Sequence, residues 1–399
     1  MSRIRVALIT HEFAIRGGSV TMTRFLYRVL DESGIFEPRI ISLATSARDR
    51  ASVRLAKPAS WLQGPIVMDL EDGGLPYSHA GALFPELETQ RHASRGALRR
   101  LLKDFRILQF VVGVPSWACA AGDRLPETLV WFATTVRNDR ASRMESATGL
   151  RYVNHKVMNL AAEASERKAL KNARSLIGLS NYSVDQVKAL VPQDRLRMIP
   201  FGVDTELFHP CNAGPGGYIL CVGRHSDPRK NVRMLVEAYD AAVALDARLP
   251  DLCIVGESPP DAVMAWISRS RIASRVRVLG WAQGEELAEL YRRSMMLVVS
   301  SDEEGLGIVI LEAMASGVPV VSTRCGGPET AVVDGVTGYL TPTGDANALR
   351  DAMLRVAGDS RLRNLLAEAG LTRARELFSL KAAGGQFLDL YSGIPSLAR

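Results

Sequence analysis

Two carboxylates stand out in this sequence because of their type, their spacing and their surroundings. Glu304 and Glu312 lie eight residues apart in the stretch 300–317, within an otherwise apolar helix pattern and the glycine turn before it. Charges in such surroundings need a partner or a ligand, because burial of an unpaired charge is unfavourable. Carboxylate oxygens at these positions can accept hydrogen bonds from hydroxyl groups. The alternative is that Glu304 is a solvated loop charge and Glu312 a surface charge on a helix.

The residues between the two glutamates predict a helix whose first turn faces an anion. Gly305 and Gly307 bracket a sharp turn, and an apolar helical pattern begins at Ile308 and ends at Gly317. The first N–H groups of a helix lack partners within it and favour a phosphate. The predicted binding residues are Gly305, Leu306, Gly307 and Ile308. A sugar nucleotide supplies both a diphosphate for the helix end and hydroxyl groups for the carboxylates.

Two cations precede this stretch at positions where a parallel sheet would present them to a ligand. The predicted strand 218–223 runs directly into Arg224, and Lys230 lies just before the start of a helix. Ligands bind at the carboxyl ends of strands in such sheets. Two cations near one helix N-terminus repel each other unless an anion joins them. The alternative is that both are ordinary surface charges.

The motifs and their order along the chain resemble those of the retaining glycosyltransferases of the GT-B fold, in particular family 4, the glycosyl transferases group 1. Glu304 and Glu312 match the E-x7-E motif, and Arg224 with Lys230 matches the G-R…K-N motif. The glycine-rich turn 325–329 matches a further family motif. The resemblance covers the second half of the chain nearly end to end and the first half in pieces.

The resemblance implies an enzyme that moves a sugar from a nucleotide-diphosphate sugar, with UDP- and GDP-sugars favoured, to a glycan, lipid-linked or small-molecule acceptor. Arg224 and Lys230 would stabilise the departing diphosphate electrostatically. Glu304 would bind hydroxyl groups of the donor sugar, and Glu312 those of the ribose. These assignments make Glu304, Arg224 and Lys230 the predicted catalytic residues.

The resemblance also implies where the nucleobase binds and that no metal ion is required. The loop that holds the base through backbone groups corresponds to Val278 and Leu279, which leaves the identity of the base open. Cationic side chains and a helix end would do the work of a metal ion, so the reaction is predicted to need neither a metal nor another cofactor. The segment 69–74, interpreted as a loop, contains no D-x-D motif.

In the first half of the chain, two short segments are candidate binding residues. Gly17, Gly18 and Ser19 follow the first predicted strand and precede a helix, an arrangement that brings backbone N–H groups to a phosphate. The alternative for them is a plain loop. Thr134 and Thr135 stand where the family often has a histidine that faces the sugar. Their hydroxyl groups could bind a sugar, or the two could be β-branched strand residues.

Strands alternating with helices predict an α/β protein built from parallel, doubly wound sheets. The first-half strands are expected at 4–9, 38–45, 66–70, 107–112 and 128–135, all parallel. The second-half strands are expected at 218–223, 252–256, 276–280, 296–300 and 318–322. The resemblance implies two Rossmann-like domains facing across a cleft. The predicted domains are an acceptor-side domain, residues 1–200 joined by a C-terminal helix at 380–399, and a nucleotide-sugar-binding domain, residues 201–379. A Gly/Pro-rich linker is predicted at 214–217.

Length and composition agree with two ordinary globular domains. The 399 residues exceed one average domain, 47% are hydrophobic and the mean hydropathy is near zero. No apolar run approaches the ~20 residues of a membrane span, and residues 4–9 are interpreted as a strand rather than a signal peptide. The five cysteines are scattered without C-x-x-C spacing, which indicates neither a zinc site nor a disulfide framework and fits a reducing cytoplasm.

The net charge of +6 favours the binding of an anionic partner. The stretch 91–106 combines apolar positions with six cations and predicts an amphipathic, basic helix of the kind found at membrane surfaces. An ordinary surface helix is the alternative to this peripheral membrane contact. No nucleic-acid partner is predicted, and the expected location is the cytoplasm, at the membrane surface if the helix binds lipid.

A second function class stays open at this point. A non-catalytic GT-B-like module that binds a sugar nucleotide or glycan would also carry these motifs, and the absent histidine supports it. Turnover of a donor by the purified protein separates the two. A glycosidase also uses paired carboxylates, but it needs no diphosphate clamp such as Arg224 and Lys230.

Overall fold

The computed structural model describes residues 3–15, 17–93, 95–145, 149–211 and 217–394. It divides into two compact units, Met1–Pro200 with Gly384–Arg399 and Phe201–Ala383. Residues 214–216 of the predicted linker lie outside the described residues. No helix among the described residues is long and apolar enough to cross a membrane.

The first unit is built on an eight-stranded sheet. Its strands are β1 (Ile4–His11), β2 (Phe36–Leu43), β3 (Val67–Asp72), β4 (Leu75–Ala80), β5 (Ile107–Val112), β6 (Thr128–Phe132), β7 (Ser175–Gly178) and β8 (Leu196–Met198). Their order across the sheet is β3-β4-β2-β1-β5-β6-β7-β8. The helices are α1 (Gly18–Glu32), α2 (Glu88–Arg91), α3 (Gly96–Leu102), α4 (Val136–Glu145), α5 (Gly149–Asn172) and α6 (Asn181–Asp185).

The predicted strands at the centre of this sheet are confirmed, because the apolar runs of β1 and β5 are buried on both faces. The edge of the sheet differs from the prediction. Residues 69–72 were interpreted as a loop, but they belong to β3, which pairs antiparallel with β4. Gly73 and Gly74 both have positive φ, as a tight hairpin turn requires. The all-parallel prediction was therefore wrong at this edge.

The C-terminal helix α14 (Leu380–Ser392) packs against the sheet of the first unit. The ring centroids of Phe387 and Trp131 are 4.8 Å apart, and the Tyr391 hydroxyl donates to Gln109 Oε1 at 2.9 Å. Large aromatic side chains bury 150–250 Å² each, so this contact contributes strongly to the core of the unit.

The predicted basic amphipathic helix at 91–106 is not formed. The helix α2 ends at Arg91, α3 spans only Gly96–Leu102, and β5 begins at Ile107. The Arg95 side chain is buried and donates to the carbonyl oxygens of Ala44 and Ala80, both at 2.8 Å. This arginine is a structural residue, so the basis for membrane contact through the stretch 91–106 is lost.

The second unit is built on a six-stranded parallel sheet. Its strands are β9 (Tyr218–Arg224), β10 (Asp251–Glu257), β11 (Val276–Leu279), β12 (Ser294–Val299), β13 (Val320–Thr323) and β14 (Gly338–Thr341). The helices are α7 (Val232–Leu245), α8 (Asp261–Arg269), α9 (Glu285–Arg292), α10 (Ile308–Ala315), α11 (Pro328–Ala331), α12 (Ala346–Gly358) and α13 (Ser360–Leu377). The five predicted strands are confirmed, and β14 was missed.

The strand order of this sheet is β11-β10-β9-β12-β13-β14. The chain builds outward in one direction from β9 and in the other direction from β12. The order therefore reverses between these two neighbours, and an open parallel sheet binds its ligands at the carboxyl ends of the strands at such a point. This edge of β9 and β12 is where the second unit positions its candidate functional residues.

Candidate functional site

The two residues that follow β9 and β12 form an ion pair at the reversal point. Lys230 Nζ lies 2.5 Å from Glu304 Oε1, and both side chains are largely buried. They are 74 residues apart in sequence and meet because their strands are hydrogen-bonded neighbours. The structure thus brings together a cation and a carboxylate that the sequence analysis had placed in one site.

The carboxylate of Glu304 is held in its ionised form. Burial alone would raise its pKa, but the ammonium of Lys230, the hydroxyl of Ser301 and the guanidinium of Arg229 outweigh it, so the pKa lies below the ordinary value. Ser301 Oγ donates to Glu304 Oε1 at 2.8 Å. The Glu304 backbone is fixed as well, since its N–H donates to Cys325 O at 3.2 Å and its carbonyl accepts from Gly327 N at 2.8 Å.

A second set of charges fastens the two loops that carry Lys230 and Glu304. The Arg229 guanidinium lies 2.8 Å from Asp227 and 2.9 Å from Glu303, and all three side chains are mostly buried. This pairing lowers the pKa of Asp227 to about 2, against the raising effect of burial. Sequence analysis assigned none of these three a role. Their signal was weak, because Asp227 and Arg229 precede a predicted helix and Glu303 adjoins the recognised glutamate.

Backbone groups add to the connection between these loops. Asp302 N donates to Arg229 O at 2.7 Å, and Ser300 Oγ donates to Lys230 O at 2.9 Å. Asn231, at φ 43°, caps α7 by accepting from Met234 N and reaches Asp302 Oδ1 at 3.0 Å. These contacts hold the Lys230 loop and the Glu304 loop in one fixed arrangement.

Arg224 lies at the solvent-exposed surface of the site, whereas Lys230 and Glu304 are largely buried. The Arg224 side chain is 44% exposed, and its guanidinium lies 3.5 Å from Asp227 Oδ2. From the sequence, Arg224 and Lys230 are expected to repel each other in the absence of an anion. In the structure each has a carboxylate partner, Asp227 for Arg224 and Glu304 for Lys230. An incoming diphosphate would therefore compete with these carboxylates.

The glycine loop before α10 presents backbone N–H groups beside this ion pair. Gly307 is the N-cap of α10 at φ 82°, a conformation that favours glycine. In the part of the chain that the structure describes, no backbone carbonyl accepts from the N–H groups of Leu306, Gly307 or Ile308. Such groups at a helix start suit an anion.

The turn that follows β13 packs directly on this loop. A Cβ added at Gly327 would lie 2.3 Å from Leu306 N and 2.4 Å from the carbonyl carbon of Gly305. Side-chain atoms do not tolerate such distances, so only glycine allows this approach. The backbone bonds between Gly327 and Glu304 depend on it.

We expect Gly327→Ala to displace the glycine loop and to destabilise the protein by about 1–3 kcal/mol, as overpacking of a tight contact does. Thermal or denaturant unfolding measures this change. Gly280→Ala is the matched control, since nothing lies within 4 Å of a Cβ added there. Equal stability of the two variants would contradict the contact.

Glu312, the second predicted carboxylate, lies in the second turn of α10 and is only 9% exposed. Its Oε2 accepts from the Tyr291 hydroxyl at 2.8 Å. Burial raises the pKa of Glu312 to about 7, although the hydrogen bond from Tyr291 lowers it. Tyr291 was not predicted as a site residue, because a buried tyrosine in an amphipathic helix has no distinguishing pattern.

The raised pKa of Glu312 predicts a pH dependence of stability. The folded state binds the proton more tightly than the unfolded state, so wild-type stability falls as the pH rises from about 4.5 to about 7. The total loss is about 3 kcal/mol, since each pKa unit corresponds to about 1.4 kcal/mol. Glu312→Gln removes this loss, so we expect its stability relative to wild type to increase from about pH 4.5 and to reach its full advantage above about pH 7.

Urea unfolding at acid and alkaline pH tests this prediction as a difference between wild type and Glu312→Gln. The comparison is needed because Glu166, whose pKa burial also raises to about 7, titrates in the same range. Tyr291→Phe should raise the pKa of Glu312 further. A pH-independent difference between Glu312→Gln and wild type would refute the assignment.

The predicted site residues of the first unit have different surroundings. Gly17, Gly18 and Ser19 follow β1 at the start of α1, as predicted. Thr134 and Thr135 were predicted either to bind sugar or to lie in a strand. The strand β6 ends at Phe132, so the strand alternative was wrong.

Both threonine hydroxyls are already engaged within the first unit. Thr134 Oγ1 donates to Gln186 Oε1 at 3.3 Å, and Thr135 Oγ1 donates to the same oxygen at 2.7 Å. Their donor protons are therefore used to fasten the start of α4 to the end of α6. The structure shows both hydroxyl groups in a contact within the first unit, and sugar binding by these threonines stays a prediction.

Val278 and Leu279 form the end of β11. Leu279 is exposed, which leaves the loop beyond it accessible. The carboxyl end of β11 lies at the same edge of the sheet as those of β9 and β12, two strands away from β9. This position agrees with a binding role for the loop but does not identify a base.

Comparison with known proteins identifies the family of these motifs. Residues 216–359 match the model of the family described as glycosyl transferases group 1. A D-inositol 3-phosphate glycosyltransferase of Actinosynnema mirum is 32% identical over 252 residues, 57% of this chain and 60% of that protein. A GDP-mannose-dependent alpha-(1-6)-phosphatidylinositol monomannoside mannosyltransferase of Mycolicibacterium smegmatis is 30% identical over 254 residues, 58% of this chain and 65% of that protein. The match thus spans about 60% of the length of these relatives.

Solved structures share the fold along nearly the whole chain. A sucrose-phosphate synthase from Thermosynechococcus elongatus matches with a TM-score of 0.73 and 22% identity over 98% of both chains. The Anabaena protein HepE, solved in complex with UDP-glucose, matches with a TM-score of 0.72 and 15% identity over 98% of this chain and 100% of that one. These matches confirm the predicted GT-B fold class, with two parallel-sheet α/β domains.

Proposed function

We propose that this chain, whose residues 216–359 match the glycosyl transferases of group 1, transfers a glycosyl group from a nucleotide-diphosphate sugar to an acceptor hydroxyl, with retention of the anomeric configuration. One observation carries the proposal. The Lys230–Glu304 pair lies beside a helix start whose first N–H groups have no backbone acceptor among the described residues, at the point where the strand order of the sheet reverses. Cation, carboxylate and amide groups are the set that a sugar diphosphate requires.

In this reaction the bond between the anomeric carbon and the diphosphate oxygen breaks, and a bond from the acceptor oxygen to that carbon forms on the same face. Lys230 and Arg224 neutralise the charge that develops on the leaving diphosphate, together with the N–H groups of Gly307 and Ile308. The acceptor proton passes to the departing phosphate oxygen, so the protein supplies no nucleophile. Glu304 stabilises the positive charge that develops on the sugar ring.

The donor is a UDP- or GDP-sugar in this proposal. HepE was solved with UDP-glucose, and the Mycolicibacterium relative is named as GDP-mannose-dependent. Glu312 accepts hydrogen bonds from the ribose, and the loop after β11 holds the base. The relatives' names describe acceptors that carry several hydroxyl groups, an inositol phosphate and a phosphatidylinositol mannoside. We extend that class, a polyhydroxylated acceptor, to this chain.

The experiment has two stages. Thermal-shift measurements with UDP-, GDP-, ADP- and dTDP-sugars identify the donor, because a ligand that binds the folded state raises the apparent melting temperature. Release of the nucleoside diphosphate in the presence of polyhydroxylated acceptors then measures transfer. Binding of a donor without turnover under any acceptor would favour the alternative, a non-catalytic sugar-nucleotide-binding module.

We further propose that transfer needs no metal ion, since Lys230, Arg224 and the start of α10 already offer positive charge to the diphosphate. We expect full turnover in excess EDTA, measured as release of the nucleoside diphosphate. Addition of Mg²⁺ or Mn²⁺ to the EDTA-treated protein is the control. A reaction that stops with EDTA and recovers with either ion would contradict this part of the proposal.

A further inference from the structure

A surface of the first unit, none of whose residues is among the candidate site residues, combines exposed apolar side chains with cations that lack a carboxylate partner in the described part of the chain. The loop between β2 and β3 exposes Trp61 by 54% and Leu62 by 94%. Leu55 of the same loop is also exposed, as are Leu83 and Leu87 of the segment that follows β4. The cations of the loop between β2 and β3 are Arg48, Arg50, Arg54 and Lys57. We refer to these nine residues as the Trp61 face.

The apolar residues of the Trp61 face form one patch and are not scattered. The ring centroids of Trp61 and Phe84 are 5.8 Å apart. Leu55 N donates to Glu86 Oε1 at 3.1 Å, and Val53 forms a β-bridge with Leu83. These contacts bring the loop and the segment 83–87 to the same place on the surface.

The loop is held rigidly, so the exposure of Trp61 and Leu62 is a property of its fold. Trp61 Nε1 donates to Arg54 O at 2.9 Å, and Arg54 N donates to Ser60 Oγ at 3.0 Å. A 3-10 turn spans Pro58–Trp61. Because the only polar atom of the indole is already satisfied within the loop, its apolar body can leave water without losing a hydrogen bond.

The charges decide which partner fits this face. In the described part of the chain, no carboxylate lies within salt-bridge distance of Arg48, Arg50, Arg54 or Lys57. Two carboxylates adjoin the face, Glu86 and Asp49. The N–H of Leu55 donates to Glu86, while Asp49 Oδ1 lies 2.9 Å from His79 Nε2 and its Oδ2 accepts from Ser52 Oγ at 2.6 Å. Two copies of the face would bring like charges together, which opposes self-association. Cations around an exposed tryptophan and leucine match an anionic bilayer surface.

We propose that the Trp61 face docks the protein on an anionic phospholipid bilayer, with Leu62 and the Trp61 ring entering the headgroup region and the four cations contacting lipid phosphates. This contact is separate from the stretch 91–106, whose Leu98 and Leu102 are buried in the core. It is also independent of the proposed glycosyl transfer, because none of its residues belongs to the candidate site.

Sedimentation of the full chain with vesicles tests the proposal. We expect binding to phosphatidylcholine vesicles that contain phosphatidylglycerol and little binding to phosphatidylcholine alone. Leu62→Asp should lower the partition coefficient at least about tenfold, as loss of a buried leucine side chain implies. Arg50→Ala and Lys57→Ala should each lower it about fivefold. Raising the salt from about 0.1 M to about 1 M should weaken binding, because it shortens the Debye length from ~10 Å to ~3 Å.

The matched control is Leu245→Asp, which changes an exposed leucine on α7 in the second unit and should leave vesicle binding unchanged. Bromine-labelled lipid should quench tryptophan fluorescence in the wild type and much less in Trp61→Phe. No vesicle binding by the wild type would overturn the proposal, as would equal binding by Leu62→Asp. A dimer in the absence of lipid that Leu62→Asp makes monomeric would assign the face to self-association instead.

Discussion

Lys230→Met is expected to reduce the rate of glycosyl transfer by about 10²–10³-fold, a loss of about 3–4 kcal/mol of transition-state stabilisation. The substitution keeps most of the side-chain volume and removes the positive charge. Charge on the diphosphate grows as its bond to the sugar breaks, so the ammonium is most favourable in the transition state. The measurement is kcat and KM for release of the nucleoside diphosphate, and the larger effect should fall on kcat.

The control for this variant is Lys188→Met, which removes an exposed lysine paired with Asp185 at 2.7 Å. Exposed ion pairs contribute about 0–1 kcal/mol, so neither stability nor transfer should change appreciably. Lys230→Met should also destabilise the fold above the pKa of Glu304, because it leaves a buried carboxylate without its cation. Normal kcat in Lys230→Met would remove the argument that this lysine stabilises the leaving group.

The second unit could be predicted closely from sequence because each of its signals is local. Apolar runs between glycines predicted β9, β10, β11, β12 and β13. Glycines marked the start and end of α10, and the adoption of φ 82° by Gly307 follows from its lack of a Cβ. The strand β14 was missed because it begins with a glycine and contains only two apolar residues, Tyr339 and Leu340, which is too short a run for a strand pattern.

The sequence does not show which side chains pair across long separations in the chain. The spacing of Glu304 and Glu312 is visible in the sequence, but their partners come from elsewhere in the chain. Lys230 is 74 residues from Glu304, and Tyr291 is 21 residues from Glu312. A one-dimensional pattern contains no information on which cation reaches which carboxylate. The two glutamates consequently have opposite pKa shifts, lowered for Glu304 and raised for Glu312.

In the first unit, local sequence patterns predicted structure that tertiary packing overrides. The cations of the stretch 91–106 have helical spacing, yet Arg95 turns inward to bond two strand-end carbonyls and separates α2 from α3. Propensity and periodicity are weak against such tertiary contacts. The threonines at 134 and 135 were ambiguous for the same reason, since their acceptor, Gln186, lies about fifty residues away in sequence.

The ion pair at the reversal point leads to a prediction in which binding and catalysis change in opposite directions. Glu304→Gln keeps the shape of the side chain and its hydrogen bond from Ser301, but it removes the charge that holds Lys230. The freed lysine and the loss of a nearby negative charge both favour a diphosphate. We expect the Kd for the free nucleoside diphosphate to fall about fivefold, which corresponds to ~1 kcal/mol of binding free energy.

Transfer by Glu304→Gln should nevertheless fall about 10²–10³-fold, because the positive charge that develops on the sugar ring then lacks its carboxylate. Calorimetric titration with UDP and GDP measures binding, and release of the nucleoside diphosphate from the donor measures turnover. Glu237→Gln, an exposed glutamate paired with Arg233 on α7, is the control that should alter neither. Weaker nucleotide binding in Glu304→Gln would show that the Glu304 carboxylate and the diphosphate do not compete for Lys230. Unchanged turnover would show that Glu304 has no part in the chemical step.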